Sequence, residues 1–548
     1  MKEDDNEPNN EQPATPSKSS GKIRVPSLLR NYVSFIGLGI AGAAFTSFVL
    51  LFLVEITGKN DNPYSDLITY IFVPSILGFG LVVALIGALL ERRRRFGMSA
   101  EEIGKYPILD LNDPRRRRMI LVAACLAFIF VFMTAFGSYR AYEYTESIAF
   151  CGIACHSVMK PEYVAYQASP HARILCVECH VGGGTQAYVK SKFTGMRQLY
   201  GIVTGHYNRP IETPVANMRS ATETCQKCHW SEKYHGDKMK AFNHYGYDEK
   251  NSLNRTRMLI KVGGGDPFAG PVGGIHWHMN ISNEITFIAS DRQRTTIPWI
   301  RMKDSTGKVV EFKTKDTNFS NADIERAEKR TMDCIDCHNR PAHIYLSPNQ
   351  AVDQALEAGK LNIEMPFIKA KAVEVLAKPY STNDEAMTGI DSGIRGYYRD
   401  NYPQVVSASP DSITNSVTEL QRIYQTYFFP EMNTNWESHP NNIGHYNAQG
   451  CFRCHDGQHF AADGRVIRNE CSVCHVTIDQ TFGGKTISDA NGVFQHPVNL
   501  GDKNTWQCAA CHKGDRTFSH PVKLGDISQF KCSDCHTGQN PRMDLSGM

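Results

Sequence analysis

The stretch Cys176-Val177-Glu178-Cys179-His180 decides how this chain is read, because its pattern recurs. The same C-x-x-C-H spacing appears at Cys225/Cys228/His229, Cys334/Cys337/His338, Cys451/Cys454/His455, Cys471/Cys474/His475, Cys508/Cys511/His512 and Cys532/Cys535/His536. An eighth motif, Cys151-Gly-Ile-Ala-Cys155-His156, is one residue wider. Together they use sixteen of the 17 cysteines and leave Cys125, inside an apolar run.

One such motif could hold zinc or a redox dithiol. Eight, using every cysteine after residue 150, point to covalent c-type haem. Two thiols at fixed separation add to the two vinyl groups of one macrocycle. The next histidine then lies under the iron as proximal ligand. The reading is eight covalently bound haem c groups, with porphyrin forming much of the core around them.

Twelve further histidines are candidates for the opposite faces of the irons. His496-Pro-Val-Asn-Leu-Gly-Asp precedes one haem motif, and His520-Pro-Val-Lys-Leu-Gly-Asp precedes the next, in a 24-residue repeat. A duplicated unit with one spare histidine and one haem motif argues that the spare serves a haem. The other expected sixth ligands are His171, His235, His343, His445, His459 and one of His276 and His278. His206, His244 and His439 are weaker candidates. Met159, three residues after His156, competes for the first iron. Enough histidines for every iron implies mainly bis-histidine haems, which pass electrons rather than bind substrates.

Three uncharged apolar stretches, Val33–Val54, Leu67–Leu90 and Met119–Tyr139, are each long enough to span a bilayer, which takes about 20 residues. The first is expected to be a retained signal anchor. The segment Glu91 to Arg118 holds nine Lys and Arg, whereas Glu55 to Asp66 holds only Lys59. This asymmetry places the N-terminus and the second loop in the cytoplasm and exports everything after Arg140. Haem attachment outside the bacterial cytoplasm requires the same topology, so the expected location is the inner membrane with a periplasmic haem region.

The fold class expected is mainly α with much irregular structure: three transmembrane helices, an exported multihaem region and a small β-rich insertion. Residues 1–21 read as a disordered cytoplasmic tail, and 22–110 as a two-helix membrane region with its loop. Residues 111–345 hold the third helix, haems 1–4 and the insertion at 246–330. The expected strands there are Ile285–Ala289, Thr296–Met302 and Val309–Lys313, with Asp304–Gly307 as a turn. Residues 346–440 read as a haem-free, partly helical linker domain, periodic around Ala351–Ala358 and Ile368–Ala377. Residues 441–548 read as a four-haem region with little regular structure. A net charge of +3 on 548 residues gives no nucleic-acid footprint. The sequence leaves a monomer and a homodimer both open.

A membrane helix running into a haem motif, then Cys176–His180, Tyr188-Val-Lys-Ser-Lys-Phe-Thr-Gly195 and Cys225–His229, resembles the NapC/NirT family of membrane-anchored tetrahaem quinol dehydrogenases. Ser169-Pro-His171, Trp230-Ser-Glu-Lys-Tyr-His235 and Cys337-His-Asn-Arg-Pro-Ala-His343 extend the match over roughly residues 119–345. The whole plan resembles the ImcH-type inner-membrane cytochromes of metal-reducing bacteria, where seven motifs would be expected. Duplication of the 24-residue unit accounts for the eighth. The resemblance implies oxidation of a quinol, menaquinol first among them, and a haem wire feeding periplasmic multihaem cytochromes. It also implies a quinol-pocket lysine at Lys190. Seven residues on, where small nitrite-linked members have an aspartate beside the first haem, this chain has Arg197. Quinol oxidation also needs a proton acceptor. Glu143 and Glu146 after the third apolar stretch, or Glu55 and Asp66 beside the first loop, could serve. Competing readings are an anchor subunit that donates to a dedicated reductase, and a terminal reductase. The second would need an iron with an open face, and no C-x-x-C-K motif supplies one.

Overall fold

The computed structural model describes residues 27–57, 68–95, 112–482, 484–487 and 494, apart from internal positions 155, 183–184, 216–217, 231–235, 264–273, 280–282, 305 and 316–318. It divides into two compact units, Met1–Tyr144 and Thr145–Met548.

The first unit is helical. Helix α1 spans Tyr32–Thr57 and α2 spans Val73–Arg94. Both contain a stretch long and apolar enough to cross a membrane. They pack closely through small residues. A Cβ on Gly37 would lie 2.3 Å from the Ala84 backbone nitrogen, and one on Gly80 would lie 2.6 Å from that of Ala41. Close backbone approach of this kind suits helices that share a solvent as apolar as their own side chains. The third apolar stretch lies within α3, Pro114–Thr145. Its Leu121, Leu126, Phe128, Phe132 and Met133 are exposed.

The second unit opens with α4, His156–Gln167, and α5, Thr185–Thr204. Two antiparallel sheets follow. The first runs β1 (Lys238–Tyr245), β2 (Leu253–Ile260), β8 (His475–Phe482), β9 (Lys485–Ile487). The second has the order β6-β3-β4-β5-β7, built from β3 (Glu284–Ile288), β4 (Trp299–Lys303), β5 (Val309–Thr314), β6 (Arg330–Thr331) and β7 (His459–Ala461). The three expected strands correspond to β3, β4 and β5. Gly307 closes their turn at φ +83°, donating to the Asp304 carbonyl at 2.9 Å. The boundaries differ from expectation, since strands begin at Lys238 and each sheet is completed by chain from beyond residue 458. The β-structure is therefore spliced from two distant parts of the sequence. The reason is edge pairing: β8 covers the edge of β2, and β7 covers the edge of β5.

The segment read as a partly helical linker domain holds the largest apolar core among the described residues. Helices α6 (Pro348–Glu357), α7 (Ile368–Ala377), α8 (Asn383–Asn401) and α9 (Pro410–Tyr427) bury Val352, Ile368, Val373, Ile390, Ile394 and Leu420 completely. Ile390, Ile394 and Tyr398 recur at four-residue intervals on one face of α8, the spacing of a helix packed on one side. Thr382 caps its start by accepting from the Glu385 amide. One charge pair lies inside. Lys369 Nζ donates to Asp353 at 2.6 Å, and Asp353 also accepts from the Tyr245 amide at 3.0 Å. Burial pulls the Lys369 ammonium down to about 8, against the opposing pull of Asp353. The pair ties α6 and α7 to β1.

Candidate haem sites

Every described C-x-x-C-H motif sits on a short helical turn. The turns cover Cys176–His180, Cys225–Lys227, Cys334–Cys337, Gly450–Arg453 and Cys471–Val473. In three of them the second cysteine, Cys228, Cys454 or Cys474, donates its amide to the first cysteine's carbonyl at 3.1–3.2 Å. Residues three apart on such a turn eclipse, which brings both thiols to one side. The wider first motif starts on a π-helical turn, Phe150–Ala154. A π turn takes up one more residue than an α turn, as this spacing demands. Gly152 is needed there, since a Cβ would meet the Tyr163 ring at 2.2 Å. Cys155 lies outside the described residues. So do Cys508 and Cys511 of the seventh motif and Cys532 and Cys535 of the eighth, whose expected roles as haem anchors stay expectations.

The histidines that end five motifs each face a second histidine. Ring centroids are 6.2 Å apart for His180 and His343, 6.2 Å for His229 and His171, and 6.4 Å for His338 and His276. They are 5.8 Å apart for His455 and His278, and 6.1 Å for His475 and His445. Two imidazoles ligating one iron from opposite faces hold their centroids roughly 6 Å apart, from a metal–nitrogen bond of about 2 Å and a ring radius of about 1 Å on each side. Several rings are also locked by the nitrogen a metal would not use. Nδ1 donates to the carbonyls of Pro341 from His171, Glu162 from His343, Ile275 from His278 and Arg468 from His455, at 3.1, 2.9, 2.7 and 2.5 Å. This leaves Nε2 as the lone-pair nitrogen, the usual arrangement of a ligating histidine. Burial lowers His180, His278, His338, His445 and His475 below the ordinary imidazole range, which favours the neutral ring.

Two expectations are corrected. The sequence offers His276 and His278 as alternatives, yet each faces a different proximal histidine. His459, a ligand candidate by sequence, is buried with both nitrogens engaged. Nδ1 bonds Asp456 at 2.8 Å and Nε2 bonds the Ile297 carbonyl at 2.7 Å. That leaves no nitrogen for a metal. At the third motif, Lys227 pairs with Glu178 of the second at 3.4 Å.

Among the weaker histidine candidates, His439 is buried between Ser438 and Glu162, and burial lowers it to about 4. His244 pairs with Asp353 at 3.1 Å, and His206 is exposed. His235, His496, His512, His520 and His536 lie outside the described residues. Met159 is half-buried on α4, and nothing is described of the His156 side chain.

The thiols of successive motifs are electrostatic neighbours. Cys151 is raised first by a hydrogen bond with Cys176, and Cys474 likewise by Cys451. After burial, Cys225 raises both Cys179 and Cys334. Cys337 is pushed up to about 11 by burial, with Cys451 adding to the rise against Arg453. The six motifs from 151 to 471 therefore lie beside one another in chain order.

Of the candidate bases, Glu146 accepts from Lys192 Nζ at 2.7 Å, and Glu143 accepts from Arg140 at 2.8 Å. Lys192 also donates to Thr145 at 3.2 Å. Both Glu146 and Lys192 act electrostatically on Cys151, so this pair flanks the first motif. Lys190 is exposed two residues away. Glu55 lies in α1, with nothing described of its side chain, and Asp66 is outside the described residues.

Residues 113–254 match the NapC/NirT cytochrome c family, N-terminal region. The chain is also 40% identical over 487 residues to the "Cytochrome c-type protein ImcH" of Geobacter sulfurreducens, a match covering 88% of this chain and 95% of the relative. The chain belongs to the NapC/NirT cytochrome c family. It is thus a membrane-associated electron-transport cytochrome carrying covalently bound haem c. No solved structure matches it. The residues of this NapC/NirT cytochrome fit haem better than zinc. Among the described residues no three His, Cys, Asp or Glu side chains converge as a closed zinc site needs, while the imidazoles stand in facing pairs.

Two residues that the geometry places beside the motifs escape a motif search. Lys192 differs from Lys190 only by its place on the helix face. Arg453 is one of the two variable residues inside its own motif, and it donates to the Asp336 carbonyl, inside the preceding motif, at 2.7 Å.

Proposed function

We propose that this cytochrome oxidises a membrane quinol, menaquinol in the first instance, and passes the electrons along eight haems to periplasmic multihaem cytochromes. The observation that carries the wire is the set of five facing histidine pairs at 5.8–6.4 Å, on motifs that neighbour one another in chain order. Iron ligated on both faces has no position for a substrate, which favours electron transfer over a terminal reductase. Bound in these sites, haem c supplies one-electron redox centres.

Oxidation of one quinol to quinone releases two electrons and two protons. The Glu146–Lys192 pair beside Cys151 is the proposed acceptor: the Glu146 carboxylate takes a proton from the quinol hydroxyl as the electron leaves, and Lys192 holds it in place. Lys190 remains the residue that the family resemblance assigns to the pocket. Helix α5 carries both lysines and a stripe of exposed apolar residues at Phe193, Met196, Tyr200 and Val203. That face suits the membrane surface where a quinol arrives. The topology proposed is three spans, α1, α2 and α3, with the N-terminus cytoplasmic and the haem region exported.

The test is addition of menaquinol to the full-length protein in lipid, following haem reduction optically. Wild type is expected to reduce, and no reduction overturns the proposal. Glu146→Gln is expected to slow reduction on the order of 10²-fold, the size of a lost general base. An unchanged rate in both Glu146→Gln and Lys190→Ala removes these residues from the quinol site.

A further inference from the structure

The turn Ile275–Met279 carries two histidines in the sequence Ile-His-Trp-His-Met, and they face different haem motifs. His276 stands 6.4 Å from His338, and His278 stands 5.8 Å from His455. The first partner ends the fourth haem motif and the second ends the fifth. We infer that this one turn supplies the sixth ligand to both irons and clamps haems 4 and 5 into a single unit. The inference rests on the proposed haem wire and adds to it the identity of two ligands and a fixed junction.

The turn is built to hold still. Ile275 and His276 donate their amides to the carbonyls of Lys261 and Val262, at 2.8 and 3.0 Å, so the turn hangs from the end of β2. Gly274 enters it at φ +84°, where a Cβ would lie 2.5 Å from the Lys261 carbonyl oxygen. Trp277, between the two histidines, packs on the apolar core of the second sheet with Ile285, Phe287 and Ile300. Its carbonyl accepts from Asn283 at 3.1 Å. Anchoring the residue between them fixes both rings at once.

The proximal sides are joined as well. Arg453, buried inside the fifth motif, donates to the Asp336 carbonyl of the fourth at 2.7 Å, and to Gly450 and Arg294 carbonyls at 2.9 Å each. Asn442 donates to the same Asp336 carbonyl at 3.2 Å. The two attachment turns are thus held together independently of the two distal ligands. Position 4 closes the tetrahaem part of the chain and position 5 opens the C-terminal part, so this clamp lies where the two meet.

The experiment compares His276→Met, His278→Met and the double variant with wild type in full-length protein. Haem content is read by pyridine haemochrome, and ligation by low-temperature EPR and near-infrared magnetic circular dichroism. Each single variant is expected to convert one haem's share of bis-histidine signal into histidine–methionine signal, and the double variant two. Glycine variants at the same positions are expected to lose that share and regain it with added imidazole, which covers failure of methionine to ligate. His206→Met, an exposed control, is expected to change nothing. Full haem content with unchanged ligation in either single variant overturns the inference, as does loss of only one share in the double variant. Wild type without covalent haem overturns the underlying haem-wire reading instead.

Discussion

At the scale of single residues, chemistry is set by what each nitrogen or charge faces. His278 and His459 look alike in sequence, each a histidine near a haem motif. His278 spends Nδ1 on a carbonyl and leaves Nε2 for the proposed iron, while His459 spends both nitrogens on protein acceptors. No spacing rule separates them, because one deciding acceptor, the Ile297 carbonyl, comes from a distant segment. His459→Ala is expected to leave haem ligation unchanged by EPR while lowering thermal stability. Lys190 and Lys192 are a similar case. Residues two apart on a helix do not share a face, so a motif that locates one says nothing of the partner of the other. Lys369 shows the cost of a buried charge. Lys369→Ala strands Asp353 without its cation and is expected to cost about 3–5 kcal/mol, measured by denaturant unfolding. A Lys369→Met, Asp353→Leu double variant is expected to recover most of it.

At the scale of elements, legibility follows from how local the determining contacts are. The haem motifs are readable because one turn of chain contains the whole attachment geometry. The strands β3, β4 and β5 are readable from alternation, since one face packs on a core. Helices α8 and α9 also carry their period openly, in Ile390, Ile394 and Tyr398 and in Ile413, Val417, Leu420 and Tyr424. They lie in the segment read as a partly helical linker domain, and their bundle is the chief apolar core among the described residues of the second unit. Ile394→Ala is expected to cost about 2–5 kcal/mol through an unfilled cavity, measured by thermal unfolding. The haem content of that variant should stay at the wild-type level, because no attachment motif lies in the bundle.

At the scale of the molecule, the division into segments drawn from sequence meets a chain that crosses its own boundaries. The sheets use strands on both sides of the helical bundle, and strand pairing between residues more than 140 apart leaves no local signal. Truncation after residue 440 removes β7, β8 and β9 and bares the edges of β2 and β5. The expected result is a fragment cleaved by limited proteolysis in residues 238–314 under conditions that leave the full chain intact.

The late arrival of those strands bears on how the protein is made. On the proposed topology the chain is exported from its N-terminal side, and neither sheet can close until residues 459–487 have crossed the membrane. Such long-range pairing is slow to form. The first four attachment motifs therefore emerge into an open chain, and the enzymes that join haem to cysteine meet them before the sheets are complete. Assembly of the cofactor array and folding of the protein would run as one process, with the last strands sealing haems already in place.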